Sequence, residues 1–182
     1  MSKRISFCAV IFCLAIGVSA CAPAATDTEG GETADAAGDY PYYSGAGQLT
    51  GKADLIFTGT VSDVGYEDLD VSSGLDASMP YTIYDIQIEE VYKGAAEGKS
   101  IKIKQLGGGA DGAGPRSEVR TVISEEIADI ERGHAYLFLV ETYENVYPSL
   151  LNPTQGCFDL ENSETEKQDG ISRKDIMEAL NI

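Results

Sequence analysis

The sequence predicts a mainly β protein, a small β-barrel or β-sandwich of five or six strands followed by a C-terminal helix. Short segments of alternating apolar and polar residues recur between turn-rich stretches over residues 53–161. An amphipathic helical pattern follows the last of them, at residues 173–182. We place all these elements in one domain, residues 48–182.

The chain begins with a pattern typical of a secretory signal peptide, which we place at residues 1–20. Lys3 and Arg4 supply the basic start, and the apolar run ISFCAVIFCLAIGV follows at residues 5–18. A membrane-spanning helix needs about 20 apolar residues, and no basic cluster follows this shorter run. We therefore expect export and cleavage; the alternative is an ordinary membrane anchor helix.

Val18-Ser19-Ala20-Cys21 follows the apolar run and resembles the lipobox of bacterial lipoproteins. In that family the cysteine thiol receives a diacylglyceryl group, and the cysteine becomes the mature N-terminus. The resemblance implies lipid attachment at Cys21 and an outward-facing position on a bacterial cell membrane. Two acyl chains, at about 0.8 kcal/mol per buried CH₂, make a stable anchor. The alternative is plain cleavage at this site, with Cys21 incidental.

The chain is strongly acidic, with 30 Asp and Glu against 13 Lys and Arg and a formal net charge of −17. We exclude nucleic acid as a partner, because phosphate binding needs clustered basic residues. Direct adhesion to an anionic membrane surface is disfavoured for the same reason. The membrane partner that we expect is therefore reached through the lipid on Cys21.

Residues 21–47 are predicted to form a disordered, acidic tether between the membrane and the domain. Residues 22–39 carry five acidic residues, no basic residue and no large apolar residue. Such a segment buries too little apolar surface to offset the entropy of ordering. Its negative charge should extend the tether and hold the domain away from the bilayer.

Cysteine usage predicts no disulfide in the mature chain. Three of the four cysteines lie at or before position 21, which leaves Cys157 without a partner. The folded domain must therefore be stabilised by its core. In the predicted last strand, residues 155–161, Phe158 and Leu160 share one face, so we expect Cys157 on the other face and near the surface.

Two predicted strands carry an interrupted alternation. In residues 53–64, Gly59 interrupts the apolar face, which indicates a bulge or a close backbone approach. In residues 81–94 the apolar phase slips at Glu89-Glu90, so that Val91 replaces the expected even position. One extra residue of this kind predicts a β-bulge.

The remaining elements follow simpler patterns. Residues 100–106 place Ile101 and Ile103 inward and Lys102 and Lys104 outward. Residues 134–143 are apolar almost throughout, which is typical of a strand buried on both faces. Other predicted segments are loops at 65–80 and 107–115, a weaker strand at 117–123, a helical turn at 124–132 and a C-terminal helix capped by Ser172.

The segments ADLIFTGTV, YDIQIEEVYKG, SIKIKQ and GHAYLFLVE resemble, in this order, a pattern common in exported bacterial proteins of uncharacterised function. The same order is similar to the N-terminal domain of tissue inhibitors of metalloproteinases and to netrin-like modules, over about residues 50–161. The resemblance implies a small closed OB-like β-barrel. Those inhibitors place a disulfide-bonded N-terminal cysteine on the protease zinc. Here Cys21 precedes a tether and the disulfide framework is missing, so the resemblance bears on fold more than on inhibition.

The sequence carries no constellation that predicts catalysis, a metal site or a cofactor. His134 is the only histidine, and it opens an apolar strand where capping or packing is the expected role. Glu89-Glu90 and Glu125-Glu126 are adjacent pairs, which point to opposite faces if extended. Neither pair therefore predicts a glycosidase-like carboxylate couple.

Tyrosines predict a binding surface instead. Tyr42 and Tyr43 precede the predicted strands, and Tyr143 and Tyr147 follow the apolar strand, so these four are the candidate surface. The alternative is that the rings simply cover the ends of the barrel. We expect a non-catalytic binding module for a protein or a small molecule. The alternatives are an inhibitor of an extracellular protease, which predicts a protruding edge or loop, and an enzyme, which predicts a pocket with perturbed titratable groups.

Overall fold

The computed structural model describes residues 40–70, 79–107 and 130–182, together with the backbone of residues 32–35 and 119–122. All of them belong to one compact unit, Gly31–Ile182. The predicted signal peptide, the lipobox, Cys21 and much of the predicted tether lie outside the described residues. The predicted helical turn lies outside them as well, up to residue 129.

The described part is mainly β with two short helices, which confirms the predicted fold class at this level and the C-terminal helix. Its elements are β1 (Glu32–Asp35), α1 (Ala46–Lys52), β2 (Leu55–Leu69), β3 (Met79–Lys93), β4 (Ser100–Leu106), β5 (Val119–Val122), β6 (Ala135–Glu141), β7 (Ser149–Leu150), β8 (Cys157–Asp159), β9 (Lys167–Gln168), β10 (Ile171–Ser172) and α2 (Arg173–Ala179). Within these residues, neither helix has the length and apolar character needed to cross a membrane.

Six strands form one sheet, in the order β2, β3, β4, β7, β6 and β8. β2 with β3, and β3 with β4, are antiparallel neighbours. β7 is parallel to β4, where Lys104 faces Ser149, and antiparallel to β6. β6 also pairs with the first half of β2, which is the first strand in this order. The hydrogen-bonded neighbours can therefore be followed from β2 through β3, β4, β7 and β6 back to β2.

The β-bulge predicted at Glu89-Glu90, in the segment that forms β3, is present. Thr58 pairs with Glu90 and the next residue, Gly59, pairs with Ile88, which leaves Glu89 as the extra residue. A Cβ atom on Gly59 would lie 2.5 Å from a backbone oxygen of β3. The predicted bulge and the predicted close backbone approach are both confirmed at this point.

β2 extends to Leu69, well beyond the segment predicted for it, and β3 begins at Met79, slightly earlier than predicted. Gly65 pairs with Ile83 and Leu69 pairs with Met79, where the sequence predicted a loop. The prediction of a loop was therefore wrong at residues 65–69 and at the start of β3. Pairing with a facing strand satisfies the backbone there and outweighs a turn-forming composition.

Two apolar clusters lie on the two faces of β6, which is buried on both sides as predicted. Tyr136, Phe138 and Val140 belong to the inner cluster, whereas Leu137 and Leu139 belong to the helix-side cluster. The inner cluster also contains Leu55, Phe57, Val61, Tyr84, Ile86, Ile103, Ile130, Leu150 and Cys157. The helix-side cluster also contains Tyr43, Leu49, Ala53, Ile56, Leu151, Phe158, Ile171 and Ile176.

Residues 40–47, which the sequence assigned to the tether, are ordered against the domain. The backbone N–H of Tyr43 donates to Gln155 Oε1, and Gln155 Nε2 donates to the carbonyl of Tyr43, both at 3.0 Å. Asn152 Nδ2 donates to the carbonyl of Pro41 at 3.0 Å. These amides lie more than 100 residues away in the chain, at separations of 112 and 111, so local composition could not reveal them. β1 also lies within the predicted tether, and it pairs in parallel with β5.

Cys157 is buried in the inner cluster, which corrects the prediction of a thiol near the surface. Its neighbour Phe158 is buried in the helix-side cluster, because both faces of β8 are covered. Burial raises the pKa of the Cys157 thiol well above its usual value, and the nearby charge of Asp159 raises it further. A buried thiol of this kind behaves as a small apolar side chain.

Ser172 caps α2, as predicted, through a reciprocal pair of hydrogen bonds. Its Oγ accepts from the backbone N–H of Asp175, and the Asp175 carboxylate accepts from the backbone N–H of Ser172 at 2.9 Å. The Ser172 hydroxyl also donates to the Asp175 carboxylate at 2.7 Å, and this bond, with that from the Ser172 N–H, holds the pKa of Asp175 below its ordinary value. The helix start is therefore fixed by two residues three positions apart.

We expect Ser172→Ala to lower the free energy of unfolding by about 1 kcal/mol, because it removes the acceptor for an otherwise unpaired N–H. Urea denaturation followed by circular dichroism measures the change. Lys174→Ala is the control in the same helix, since Lys174 makes only an exposed contact with Glu178 at 3.8 Å. Equal destabilisation by the two substitutions would contradict the capping role.

Candidate functional site

A cavity of about 180 Å³ lies beside the end of β4. Its walls come from separate parts of the domain: Tyr40, Tyr81, Lys104, Gln105, Leu106, Tyr143, Ser149, Leu150 and Pro153. The sheet explains this assembly, because β4 lies between β3, which carries Tyr81, and β7, which carries Ser149. Tyr143 follows β6, and Tyr40 precedes α1.

Lys104 is the charged residue in the wall of this cavity, and only 6 % of its surface is exposed. Its Nζ lies 4.3 Å from the ring centroid of Tyr143 and 5.7 Å from that of Tyr81, within the range of cation–π contact. No carboxylate of the described residues forms an ion pair with this Nζ. Lys104 lies on the face opposite Ile103, as predicted, but tyrosines from other segments cover it there.

Lys102, two positions earlier on β4, lies in a different environment from Lys104. Its Nζ lies 2.9 Å from Asp85 Oδ2, and its side chain is 40 % exposed. The hydrogen bond with Asp85 raises the pKa of Lys102. Lys102 is thus a solvated, ion-paired lysine on the outer face, whereas Lys104 is a buried cation against aromatic rings.

Burial also sets the protonation of the cavity. It lowers the pKa of Lys104, while the charge of Glu141 acts in the opposite direction. Burial raises the pKa of Tyr40, Tyr81 and Tyr143 above 10.0, so these phenols stay neutral at physiological pH. The cavity therefore offers one desolvated cationic group among neutral aromatic walls.

Hydrogen bonds hold the Tyr143 ring in place at the cavity edge. Its hydroxyl donates to Glu141 Oε2 at 3.1 Å and lies 2.9 Å from Ser149 Oγ. The backbone N–H of Lys104 donates to the carbonyl of Pro148 at 2.8 Å, which fixes the strand beside β7. The ring and the ammonium are thus positioned by separate contacts.

Gln105 is a second unusual group in the cavity wall. Only 7 % of its surface is exposed, and in the part of the chain that the structure describes neither its Oε1 nor its Nε2 has a hydrogen-bond partner. A buried amide without partners costs about 1–3 kcal/mol, and such groups are rare in native proteins. The end of β4 therefore carries two consecutive buried polar side chains whose hydrogen-bonding capacity the described residues do not use.

The four predicted tyrosines do not form one surface. Tyr143 lies in the cavity wall, and Tyr147 lies outside it with its ring 6.0 Å from Lys102 Nζ. Tyr42 is 67 % exposed and donates its hydroxyl to the carbonyl of Asp169 at 3.3 Å. Tyr43 is buried in the helix-side cluster, so its ring cannot contribute to a binding surface.

The prediction missed Tyr81 and Lys104 as site residues. The strand pattern contained part of the signal, because it placed Lys104 on the face opposite Ile103. It lacked the register, in which Ile83 faces Lys104 and so brings Tyr81 to its side. Pairing between strands that are distant in the sequence cannot be predicted from a local residue pattern.

A second, larger cavity of about 330 Å³ surrounds His134. The ring nitrogens of His134 lie 3.5 Å from Glu131 and 3.8 Å from Glu161, and its ring stacks on Tyr136. In the described part of the chain, no three side chains of the metal-binding types converge on one point. His134 is already engaged by protein groups, and the Cys157 thiol in the same wall is inert, so the Lys104 cavity is the stronger candidate site.

No protein-family model matches this sequence, and no curated protein matches it either.

Proposed function

We propose that this chain is an exported bacterial lipoprotein whose domain, a small closed OB-like β-barrel, binds a small molecule in the cavity beside Lys104. The return of the strand pairings from β6 to β2 supports closure, because it leaves neither strand with an open edge along their shared length. Fold alone does not define the ligand, so the functional part of the proposal depends on the cavity.

One observation carries the binding function: Lys104 is buried in a cavity wall, and no described residue gives it a carboxylate partner. Burying a charge is costly unless it is paired, and the two tyrosine rings compensate only part of that cost. Groups of this kind are typical of small-molecule sites, which combine apolar walls with a few polar groups.

The binding function is tested with three small probes that share a ring and differ in charge: benzoate, benzamide and benzylamine. We expect at least one of them to shift the amide NMR signals of Leu106 and Ser149 in the full-length, detergent-solubilised protein. Tyr143→Ala should abolish or strongly weaken the shift, because it removes a cavity wall. Tyr147→Ala is the matched control, since Tyr147 belongs to the same connection but does not line the cavity.

A set of probes that leaves every cavity signal unchanged would overturn the proposed binding site. Equal weakening by Tyr143→Ala and Tyr147→Ala would also contradict it, because the effect would then come from the connection as a whole.

Lipid anchoring is a separate part of the proposal, supported by the lipobox pattern at Cys21. Mass spectrometry of the native protein should find Cys21 at the mature N-terminus with a diacylglyceryl adduct. Cys21→Ala should move the protein out of the membrane fraction, because the two acyl chains are the expected anchor. An unmodified Cys21, or a mature N-terminus elsewhere, would contradict the anchoring.

An enzyme remains a second candidate, because Lys104 and three tyrosines with shifted pKa share one cavity. Those shifts come mainly from burial, and the described residues place no hydrogen-bonded base beside the Lys104 Nζ. Binding is therefore the better-supported function. Inhibition of an extracellular protease stays a prediction, to be tested with a purified protease.

A further inference from the structure

The ligand class follows from the chemistry of the cavity, and this inference rests on the proposed binding function. We infer that the cavity takes a small carboxylate with a flat, apolar body, whose carboxylate pairs with the Lys104 ammonium and whose body lies against the tyrosine rings. The charge, the walls and the size of the cavity each support one part of this description.

Charge selects the head group of the ligand. Lys104 is a buried cation with no ion-paired carboxylate among the described residues, whereas Lys102 on the same strand has Asp85 at 2.9 Å. A ligand carboxylate would complete at Lys104 the ion pair that Asp85 provides at Lys102. A cationic ligand would place like charges together in a partly desolvated site, and a neutral ligand would leave the ammonium unpaired.

The walls select the body of the ligand. Besides Lys104 and Gln105, the lining is formed largely by aromatic and aliphatic side chains: Tyr40, Tyr81, Tyr143, Leu106, Leu150 and Pro153. Such walls favour a flat apolar group, which can stack on the phenol rings and exclude water from the ion pair.

Size limits the ligand further. The cavity measures about 180 Å³. A cavity of about 150 Å³ holds a benzene molecule, so one ring with a short carboxylate matches this volume. Drug-sized ligands occupy cavities of about 300–1,000 Å³ and would have to extend into solvent.

Two features of the protein oppose an anionic ligand. Glu141 lies near enough to act on Lys104, although its carboxylate accepts the hydroxyl of Tyr143 at 3.1 Å. The net charge of −17 repels anions at long range. Physiological salt screens such repulsion beyond about 8 Å, whereas a contact ion pair in the cavity is screened much less. We therefore expect weak but charge-selective binding.

Benzoate and benzamide test this inference in the full-length protein, because the two molecules differ little except in charge. Benzoate should bind at least about tenfold more tightly than benzamide, as expected for a charge-assisted hydrogen bond in a partly buried site. Lys104→Met, which keeps the apolar stem, should remove that preference. Lys102→Met is the matched control and should leave it unchanged, because Lys102 lies outside the cavity.

Raising the pH provides an independent readout. Benzoate binding should weaken as Lys104 loses its proton, and because burial lowers the pKa of Lys104 this should begin at lower pH than for an ordinary lysine. The other titratable groups around Lys104 are Tyr40, Tyr81, Tyr143 and Glu141, and burial raises the pKa of the three phenols. The affinity for benzamide should not show this pH dependence.

The outcomes separate the two proposals. Equal affinities for benzoate and benzamide in the unmodified protein would overturn the carboxylate inference and leave the binding site standing. Tighter binding of benzylamine than of benzoate and benzamide would also overturn the carboxylate inference and leave the binding site standing. Failure of all three probes would overturn the binding site itself. If Lys104→Met does not fold, the comparison of benzoate with benzamide and its pH dependence still decide the question.

Discussion

Phe138→Ala is expected to lower the free energy of unfolding by about 3–5 kcal/mol, a large part of the stability of a small domain. Phe138 is fully buried at the centre of the inner cluster. Its ring centroid lies 5.2 Å from that of Phe57 and 5.7 Å from that of Tyr136. Phe57 faces Phe138 directly in the pairing of β2 with β6, so the cavity left by alanine opens where these strands meet.

Urea denaturation of the full-length protein measures this loss, with Val146→Ala as the control. Val146 is exposed in the connection after β6, so its truncation should change stability by less than about 0.5 kcal/mol. A double-mutant cycle with Phe57→Ala should give a coupling of about 0.5–1.5 kcal/mol, because the two rings are stacked. A loss below about 1 kcal/mol for Phe138→Ala would show that this ring does not occupy the core as described.

The parts of the fold that depend on neighbouring residues were predictable from the sequence. The bulge at Glu89 follows from a slip in alternation, and the start of α2 follows from Ser172 and the acid three positions later. The burial of β6 on both faces follows from an uninterrupted apolar run. Each of these signals lies within a few residues of the structure that it predicts.

The parts that the sequence did not predict depend on partners far away in the chain. The order of residues 40–47 depends on amides at Asn152 and Gln155, and the length of β2 depends on the facing strand. Cys157 was expected near the surface because one face of a strand is usually solvated. Here the face with Cys157 packs in the inner cluster and the face with Phe158 packs in the helix-side cluster. Tertiary contacts of this kind override local composition.

The candidate site illustrates the same division. Alternation placed Lys104 on the correct face of its strand, but its burial depends on rings contributed by residues 40, 81 and 143. Those rings meet because β4 pairs with β3 on one side and with β7 on the other. The pairings that organise the sheet therefore also create the environment that distinguishes Lys104 from Lys102.

Gly59→Ala is expected to destabilise the domain by about 1–3 kcal/mol, although it adds a single methyl group. The new Cβ would lie 2.5 Å from the carbonyl oxygen of Gln87 and 2.7 Å from Cγ2 of Ile86. Gly59 pairs with β3 on one side and with β6 on the other, so neither neighbouring strand can move aside without breaking a pairing. The clash is with backbone, which cannot rotate away as a side chain can.

Gly65→Ala provides the control on the same strand. Among the residues that the structure describes, none has an atom within 4 Å of the position that its Cβ would occupy. Alanine there should be neutral or stabilise the domain by up to about 1 kcal/mol, because glycine loses more backbone entropy on folding. Urea midpoints of the two variants should therefore move in opposite directions or differ clearly in size. If both variants unfold at the same midpoint, the close approach of β2 and β3 at Gly59 is not a constraint on the fold.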